Sequence, residues 1–391
     1  MACDKAGVNR PSRLPPVWLP VACFLFDAVE LWPQMTTDFP AFLFPWFEHI
    51  RATGPVAAFA HPFSDYAPPY LYLLAAATLF VAWASALSLV KLLSIAGTAA
   101  LVFAVRALLA AAGAPQPGRA AALVLLWPTV TLNALLLTQC DALYAAASVM
   151  MVAACVRGRP RAALGWFGLS VAIKAQGAFL GPFLLAWLLA RRVPVRVWPL
   201  APLVTLAAWA PAAAAGWPVS HLLTVYLRQT GSYPALALNA PNLAQILSML
   251  PGTAALPLKG ALLAAAVAGA AAFAAVFSRR LGSGEAVIAL ALLCVLLVVG
   301  LLPMMHERYF FVADVLALAQ ALVRRDRASW VTAWGVEAGS MLGLLGYLTG
   351  IVELVPVGAA VMILATARIA RLLLGSADGA RPRAAPLPLP A

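Results

Sequence analysis

The chain has 391 residues, of which 64% are hydrophobic and only 10% are charged, and its mean hydropathy is +0.92. Soluble domains contain about 25% charged residues, so this composition excludes a soluble globular protein and predicts an all-α, polytopic membrane protein. The formal net charge of +12 does not indicate nucleic-acid binding, because the basic residues form short clusters between apolar runs rather than a basic surface with stacking aromatics.

The basic clusters predict the topology. A first cluster precedes the first apolar run, and the later ones are Arg157/Arg159/Arg161, Arg191/Arg192/Arg196, Arg279/Arg280, Arg324/Arg325/Arg327 and Arg368/Arg371/Arg381/Arg383. The positive-inside rule assigns these clusters, and with them both termini, to the cytoplasm. The sequence therefore divides into a cytoplasmic N-terminus (1–13), a transmembrane domain (14–373) and a Pro-rich, disordered cytoplasmic tail (374–391).

The first apolar run, residues 16–33, predicts a transmembrane helix rather than a signal peptide, since it contains charged residues and lacks a small-residue cleavage site. It leads into a first external loop, residues 34–66, whose apolar residues recur at helical spacing and predict a helix in the membrane interface. Asp38 precedes Phe39 and Pro40, a favoured helix start, so its carboxylate could cap this helix. It could also take a proton from a hydroxyl nucleophile, and the sequence leaves both roles open.

Two later regions do not fit simple spans. If residues 67–84 return to the cytoplasm and residues 86–112 and 119–137 both cross the membrane, Asp141 and the next arginine cluster fall on the wrong sides. Something between residues 84 and 140 is therefore predicted to be broken, half-spanning or membrane-buried without crossing. Residues 162–190 carry arginines at both ends and Lys174 in the middle, which predicts two short helices meeting at Lys174. Such a break needs a protein-lined or wet cavity, and the buried ammonium needs an anion, either Asp141 or a phosphate.

A second external loop is predicted over residues 214–256, and the whole chain contains about 11 to 13 transmembrane or half-spanning helices. The last polar interruption holds His306, Glu307 and Arg308. It begins like the zinc-protease motif HExxH, but position 310 is Phe, so that motif is absent. The triplet could simply connect two helices, although Arg308 has a planar guanidinium suited to phosphate or carboxylate.

Polar residues segregate to one side of the predicted membrane. The external face holds acids, strong cations and most histidines, whereas the cytoplasmic face holds mainly arginine. Separate caps and packing contacts would not be expected to collect on one face, so a shared site is predicted there. The candidates are Asp38, Asp65, Tyr66, Tyr70, Gln139, Asp141, Lys174, Gln176, Asn242, His306, Glu307, Arg308 and Tyr309. The five cysteines contain no CxxC pair and predict neither a disulfide framework nor a zinc site.

The chain resembles bacterial GT-C membrane glycosyltransferases, and more closely mannosyltransferases related to the second mannosyltransferase of GPI-anchor synthesis. Three stretches carry the resemblance: TDFPAFLFPWFEHIRATGPVAAFAHPFSDYAPPYLYLL, QCDALYAAASVMMVAACVRGRPRAALGWFGLSVAIKAQGAFLGPFLL and LLPMMHERYFFVADVLAL. It implies a GT-C-like helical bundle in the bacterial plasma (inner) membrane. The implied reaction is inverting transfer of a hexose, by the resemblance mannose, from a polyprenyl-phosphate donor on the extracytoplasmic side.

The resemblance also implies roles for the site residues. The family's essential Asp in the first external loop is matched by Asp38, which would act as general base. A second acid often adjoins it in the family, but Thr37 occupies that position here, and Asp65 and Asp141 are the candidates. Cations would hold the leaving phosphate and polar groups would bind sugar hydroxyls; the expected residues are Lys174, Arg308 and His306 for phosphate and Gln139, Asp141, Tyr66 and Asn242 for sugar.

No cofactor is established by these residues, and the reported metal dependence of some GT-C enzymes leaves a divalent cation open. The expected partners are the lipid-linked donor, membrane lipids and a glycan, glycolipid or protein acceptor, with no nucleic acid. A lipid-linked sugar flippase or secondary transporter is the main alternative, for which Asp27, Glu30, Lys91 and Glu337 are the only hints of polar residues through the membrane depth. A noncatalytic assembly subunit is a third hypothesis.

Overall fold

A computed structural model describes residues 14–229, 235–251, 255–280 and 284–375. The predicted N-terminal segment 1–13 and most of the predicted C-terminal tail lie outside the described residues. The described residues form 17 α-helices and only isolated β-bridges, so the predicted all-α bundle is confirmed for them. The helices are α1 Trp18–Leu31, α2 Phe44–Thr53, α3 Pro68–Thr78, α4 Ala86–Ala111, α5 Pro117–Ala122, α6 Pro128–Leu135, α7 Asp141–Val156, α8 Pro160–Ile173, α9 Gly181–Ala190, α10 Leu200–Ala214, α11 Val219–Gln229, α12 Leu243–Ser248, α13 Ala255–Phe277, α14 Gly284–Leu301, α15 Phe311–Arg324, α16 Arg327–Thr349 and α17 Leu354–Gly375.

Four described helical stretches are long and apolar enough to cross a membrane, which indicates an integral membrane protein. They are Ala86–Ala111, Val195–Ala214, Leu256–Phe277 and Leu354–Gly375. Other apolar helices, among them α7 and α9, are shorter. A helix of about 20 residues is needed to span some 30 Å of hydrocarbon, so length and composition alone identify only the first four as spans among the described residues.

The break predicted between the first external loop and Asp141 is confirmed. The segments Pro117–Leu126 and Pro128–Leu135 meet at an angle of 63°. The hinge residue Trp127 is extended, with φ −81° and ψ 116°. A residue before proline is disfavoured in the α region, so Pro128 ends the first segment and begins α6.

The break predicted at Lys174 is also confirmed. Helix α8 ends at Ile173, Lys174 is extended with φ −154° and ψ 142°, and a 3₁₀ turn leads into α9. The turn folds back closely onto α8, because a Cβ built on Gly177 would lie only 2.5 Å from Ser170 Oγ. Glycine is therefore required where the chain reverses beside Lys174.

The predicted helix in the first loop exists, as a π turn Phe39–Leu43 continuing into α2. Its inward face, including Phe47 and Ile50, is buried, while Phe42 and Phe44 are exposed. Helix α2 ends at Gly54, whose φ of 101° favours glycine. Its position in a membrane interface stays a prediction.

Two large apolar clusters and two small ones form the core of the described bundle. The largest is built mainly from α4, α7, α8, α9, α14 and α15, and the second from α2 and α3 with parts of their neighbours. Helix α7 is buried along nearly its whole length. Its first residue is Asp141, so a deeply buried helix fixes one acid of the candidate site.

Candidate active site

Five of the predicted charged residues converge in one cluster: Asp38, Asp141, Lys174, Glu307 and Arg308. Arg308 is the centre. Its Nη1 lies 2.5 Å from Glu307 Oε1 and 3.3 Å from Asp38 Oδ2, and its Nε lies 3.5 Å from Asp141 Oδ2. Lys174 Nζ pairs with Asp141 Oδ1. One guanidinium therefore links three carboxylates that come from three separate segments of the chain.

Asp141 is the most enclosed acid of this cluster. Its side chain is 1% exposed, and it opens α7, where the helix dipole favours a negative charge. Asn133 Nδ2 donates to its Oδ2 at 2.8 Å. Both carboxylate oxygens are thus held by protein groups. Lys174 is expected from the sequence to pair with either Asp141 or a phosphate, and in this structure its partner is Asp141. Binding a sugar hydroxyl would require displacing one of these partners.

Asp38 is more open, with 17% of its side chain exposed. Gln139 Nε2 donates to its Oδ2 at 2.8 Å, and Tyr347 Oη donates to its Oδ1 at 3.3 Å. Tyr66 Oη donates in turn to Gln139 Oε1 at 2.9 Å. The cluster therefore has one partly accessible carboxylate, held in place by two neutral donors.

The capping role that the sequence left open for Asp38 is wrong. Asp38 occupies the N-cap position, but its side chain accepts no hydrogen bond from the helix that follows. Capping residues have extended backbone angles, whereas Asp38 has φ −61° and ψ −35°. Its carboxylate points to Gln139, Tyr347 and Arg308 instead.

The loop between α14 and α15 is held by hydrogen bonds from another segment of the chain, which contains Leu238 and Asn242. Leu238 N donates to Met305 O at 3.1 Å, and Asn242 Nδ2 donates to the carbonyls of Val299 at 3.0 Å and Leu302 at 2.9 Å. Asn242 also accepts a bond from Gln245 N, and it is 1% exposed. The expectation that Asn242 binds sugar is thus corrected, because its amide is used to hold the backbone of this loop.

Glu307 keeps its charge despite being buried. Burial raises the pKa of this carboxyl. The Arg308 guanidinium and His306 together lower the pKa by more than burial raises it, and the resulting pKa is about 2. Glu307 is therefore ionised throughout the physiological range. Glu307 Oε2 lies 3.7 Å from His306 Nδ1, so the histidine at the rim contacts the same acid that binds Arg308.

The remaining predicted residues differ in how they relate to the cluster. Asp141 contacts the same guanidinium as Asp38, whereas Asp65 is exposed and its backbone carbonyl accepts a bond from Gln229. Tyr70 and Gln176 are buried, and Tyr70 Oη and Gln176 Oε1 have no hydrogen-bond partner. Tyr309 packs against the His306 ring at 5.3 Å.

Three site residues were not predicted. Asn133 holds Asp141, Tyr347 holds Asp38, and Tyr144 lies 5.9 Å from Lys174 Nζ in a cation–π contact. Asn133 could have been noticed as an amide in an apolar segment. Tyr347 gave no local signal, since it is 309 positions from Asp38.

A divalent cation, which the resemblance leaves open, stays an expectation. Within the described ranges, no three His, Cys, Asp or Glu side chains are grouped so that they could hold a metal ion. Arg308 and Lys174 lie between the carboxylates of the cluster.

The arrangement can hold an anion beside a proton acceptor. Arg308 Nε is buried and lies 3.5 Å from Asp141 Oδ2 without forming a hydrogen bond, so this N–H is paired by charge alone while the neighbouring carboxylates keep the guanidinium in place. Asp38 lies at the edge of the same cluster.

No protein-family model matches this chain, and no curated protein matches it.

Proposed function

We propose that this protein is a membrane glycosyltransferase of the GT-C type. It moves a hexose, mannose by the resemblance, from a polyprenyl-phosphate donor to an extracytoplasmic glycan, glycolipid or protein acceptor. The observation that carries the proposal is the contact of a partly exposed carboxylate, Asp38, with a buried guanidinium, Arg308, at 3.3 Å. A proton acceptor beside an anion site is what transfer from a phosphate leaving group requires.

In this mechanism Asp38 accepts the proton of the acceptor hydroxyl while the hydroxyl oxygen attacks the anomeric carbon. The bond between that carbon and the phosphate oxygen breaks, and polyprenyl phosphate leaves with the electron pair. Inversion follows from a single displacement. Gln139 and Tyr347 support this role because they hold Asp38 without themselves carrying charge.

Arg308 and Lys174 stabilise the leaving phosphate electrostatically, a contribution typically of several kcal/mol in a water-excluded site. The Arg308 Nε–H, which faces Asp141 at 3.5 Å without forming a hydrogen bond, supports this assignment. Both cations are already paired with acids, so the phosphate must take the place of one carboxylate contact. The contact with Asp38 is the most accessible, and its release would free Asp38 to act as base.

The proposed topology has both termini in the cytoplasm, the site outside, and 11 to 13 transmembrane or half-spanning helices in residues 14–373. Three helices support this topology by the residues that lie at their two ends. Helices α7, α9 and α15 each begin next to the cluster or to the Lys174 break, and each ends beside an arginine, at Arg157, Arg191 and Arg324 respectively. The acids and the basic clusters thus lie at opposite helix ends.

The lipid tail is proposed to lie between helices beside the site. Apolar residues of α9, α13 and α14, among them Phe273, Cys294 and Leu301, pack together there, and Cys294 Sγ donates to Phe179 O at 3.3 Å.

Asp38→Asn is the direct test of this function. We expect the variant to fold normally and to lose sugar transfer from a synthetic polyprenyl-phosphate hexose by about 10²- to 10⁴-fold, the usual worth of a general base. Transfer is measured in detergent, by mass spectrometry of the acceptor. Asp65→Asn is the matched control, because Asp65 is an exposed acid of the same loop.

Normal turnover by Asp38→Asn would exclude Asp38 as the base. Movement of lipid-linked sugar across vesicles without transfer would instead indicate the flippase or transporter. Two of the residues that suggested transport have other partners: Lys91 binds backbone carbonyls and Glu337 binds Thr129.

A further inference from the structure

Lys91 is a completely buried cation in the second turn of the apolar helix α4. Its ammonium donates to three backbone carbonyls, those of Leu31 at 2.6 Å, Trp32 at 2.9 Å and Gln34 at 2.5 Å. A lysine ammonium has three donor protons. The charge is therefore satisfied entirely by the main chain.

The three carbonyls belong to the last residue of α1 and the turn that follows. Carbonyls at a helix C-terminus lack intrahelical partners and carry the negative end of the dipole, so a cation is favourable there. Nearly one turn earlier on α4, Ser88 Oγ accepts a bond from Trp32 Nε1 at 3.2 Å. Helix α4 thus binds the turn at residues 31–34 through the Lys91 and Ser88 side chains together.

Helix α1 has only modest apolar packing at this end. Ala28 is buried and Leu31 packs partly buried against α6, whereas Val29 is 72% exposed. Asp38 follows Gln34 by only four positions, and Phe39 after it is buried in the core. The Asp38 backbone is therefore held by core packing on its C-terminal side and by the hydrogen-bonded turn at 31–34 on its N-terminal side.

We infer that Lys91 is a positioning residue for Asp38. It fixes the turn at 31–34, from which the linker carries the Asp38 carboxylate to Arg308. The other end of the linker is held by Tyr347, whose Oη bonds Asp38 Oδ1 at 3.3 Å and lies 3.1 Å from Thr37 Oγ1. The catalytic consequence rests on the proposed function, whereas the anchoring of the linker does not.

The test is Lys91→Met in lipid nanodiscs, followed by amide hydrogen exchange over residues 32–41. The Gln34 amide donates to Leu31 O and the Phe39 amide donates to Thr36 O. We expect the exchange of these two amides to accelerate while the exchange of amides in α7 and α15 stays unchanged. In the transfer assay kcat should fall about 10²-fold, the effect of a misplacement near 1 Å. The donor KM should stay nearly constant, because Lys174 and Arg308 are attached to other elements.

Thr98→Val is the matched control, since Thr98 is a buried polar residue two turns further along α4 that bonds only its own helix. Ser88→Ala is the second variant. It removes the hydrogen bond from Trp32 and should accelerate amide exchange over residues 32–41 by a smaller factor. If Lys91→Met does not fold, the exchange of Ser88→Ala decides whether α4 anchors the turn at 31–34. Unchanged exchange over 32–41, or acceleration spread evenly over the chain, would overturn the inference. Absence of transfer by the unmodified protein would refute the proposed function, while the exchange result would still decide the anchoring.

Discussion

At the scale of single residues, the site is a set of buried charges that neutralise one another. Isolated charges near a bilayer centre are costly, and each buried cation here has identified acceptors. Lys174 has Asp141, Lys91 has three carbonyls, and Arg308 has three carboxylates. This neutralisation explains how an apolar bundle accommodates the charges that the proposed chemistry needs.

The Lys174–Asp141 pair should behave as a coupled unit. Lys174→Met leaves a buried carboxylate short of one partner, and removing one member of a buried ion pair typically costs about 3–5 kcal/mol of unfolding free energy. We expect Lys174→Met combined with Asp141→Asn to cost less than the two single changes added together. Unfolding is followed by tryptophan fluorescence in detergent.

The matched control for this cycle is Glu48→Gln in the exposed pair Glu48–Arg51, where both side chains are at least one third exposed. Exposed pairs contribute little, so no change in the unfolding midpoint is expected there. Strict additivity of the Lys174 and Asp141 changes would contradict a coupled pair.

At the scale of elements, the site is assembled from helix ends and breaks. Asp141 begins α7, Lys174 separates α8 from α9, and the Glu307–Arg308 pair precedes α15. Helix α6 carries Asn133 to Asp141, and its first turn is capped from another element. Glu337 of α16 accepts bonds from Thr129 N at 2.8 Å and Thr129 Oγ1 at 2.9 Å.

Glu337→Met should therefore loosen α6. Loss of an N-terminal cap costs about 0.5–2 kcal/mol, and transfer should also fall because Asn133 would hold Asp141 less firmly. Glu337→Gln should recover most of the stability, since its amide oxygen can accept the Thr129 N–H. Thermal unfolding and the transfer assay measure the two effects.

Glu353→Met serves as the control, because Glu353 is an exposed acid after the same helix. If Glu337→Met were as stable as the unmodified protein, Glu337 would not cap α6, and its transport role would return as the better explanation.

At the scale of the whole molecule, the bundle separates two kinds of charge along its helices. The acids and the two site cations meet at one end of α7 and α15, and arginines flank the other end. This separation is the arrangement that the proposed topology requires, in which the positive-inside rule assigns the arginines to the cytoplasm and the site lies outside. It makes the topology experimentally accessible.

Engineered thiols should report this separation. In a cysteine-free background, cysteines at His61 and Asp65 should react with an impermeant maleimide added outside intact cells. Cysteines at Arg192 and Arg325 should react only after permeabilisation. All four positions are exposed, so access depends on the compartment alone. Labelling of the cysteines at positions 65 and 325 from the same side of the membrane would refute the proposed topology.

The sequence by itself determined the membrane class, the break at Lys174, the broken segment before Asp141 and most members of the charge cluster. These features are local: apolar runs give helices in a bilayer, and a charge inside such a run must interrupt it or face protein. It could not distinguish Asp65 from Asp141 as the second acid, and it missed Asn133.

Only the tertiary structure decided which charges pair. It removed Asp65 from the cluster, assigned Asn242 to the backbone, excluded a capping role for Asp38 and gave Lys91 its three carbonyls. Hydrophobic pattern specifies the conformation and burial of each segment, but a salt bridge or hydrogen bond depends on distances between helices far apart in the chain. Those distances follow from side-chain packing across the whole bundle, which no single segment encodes.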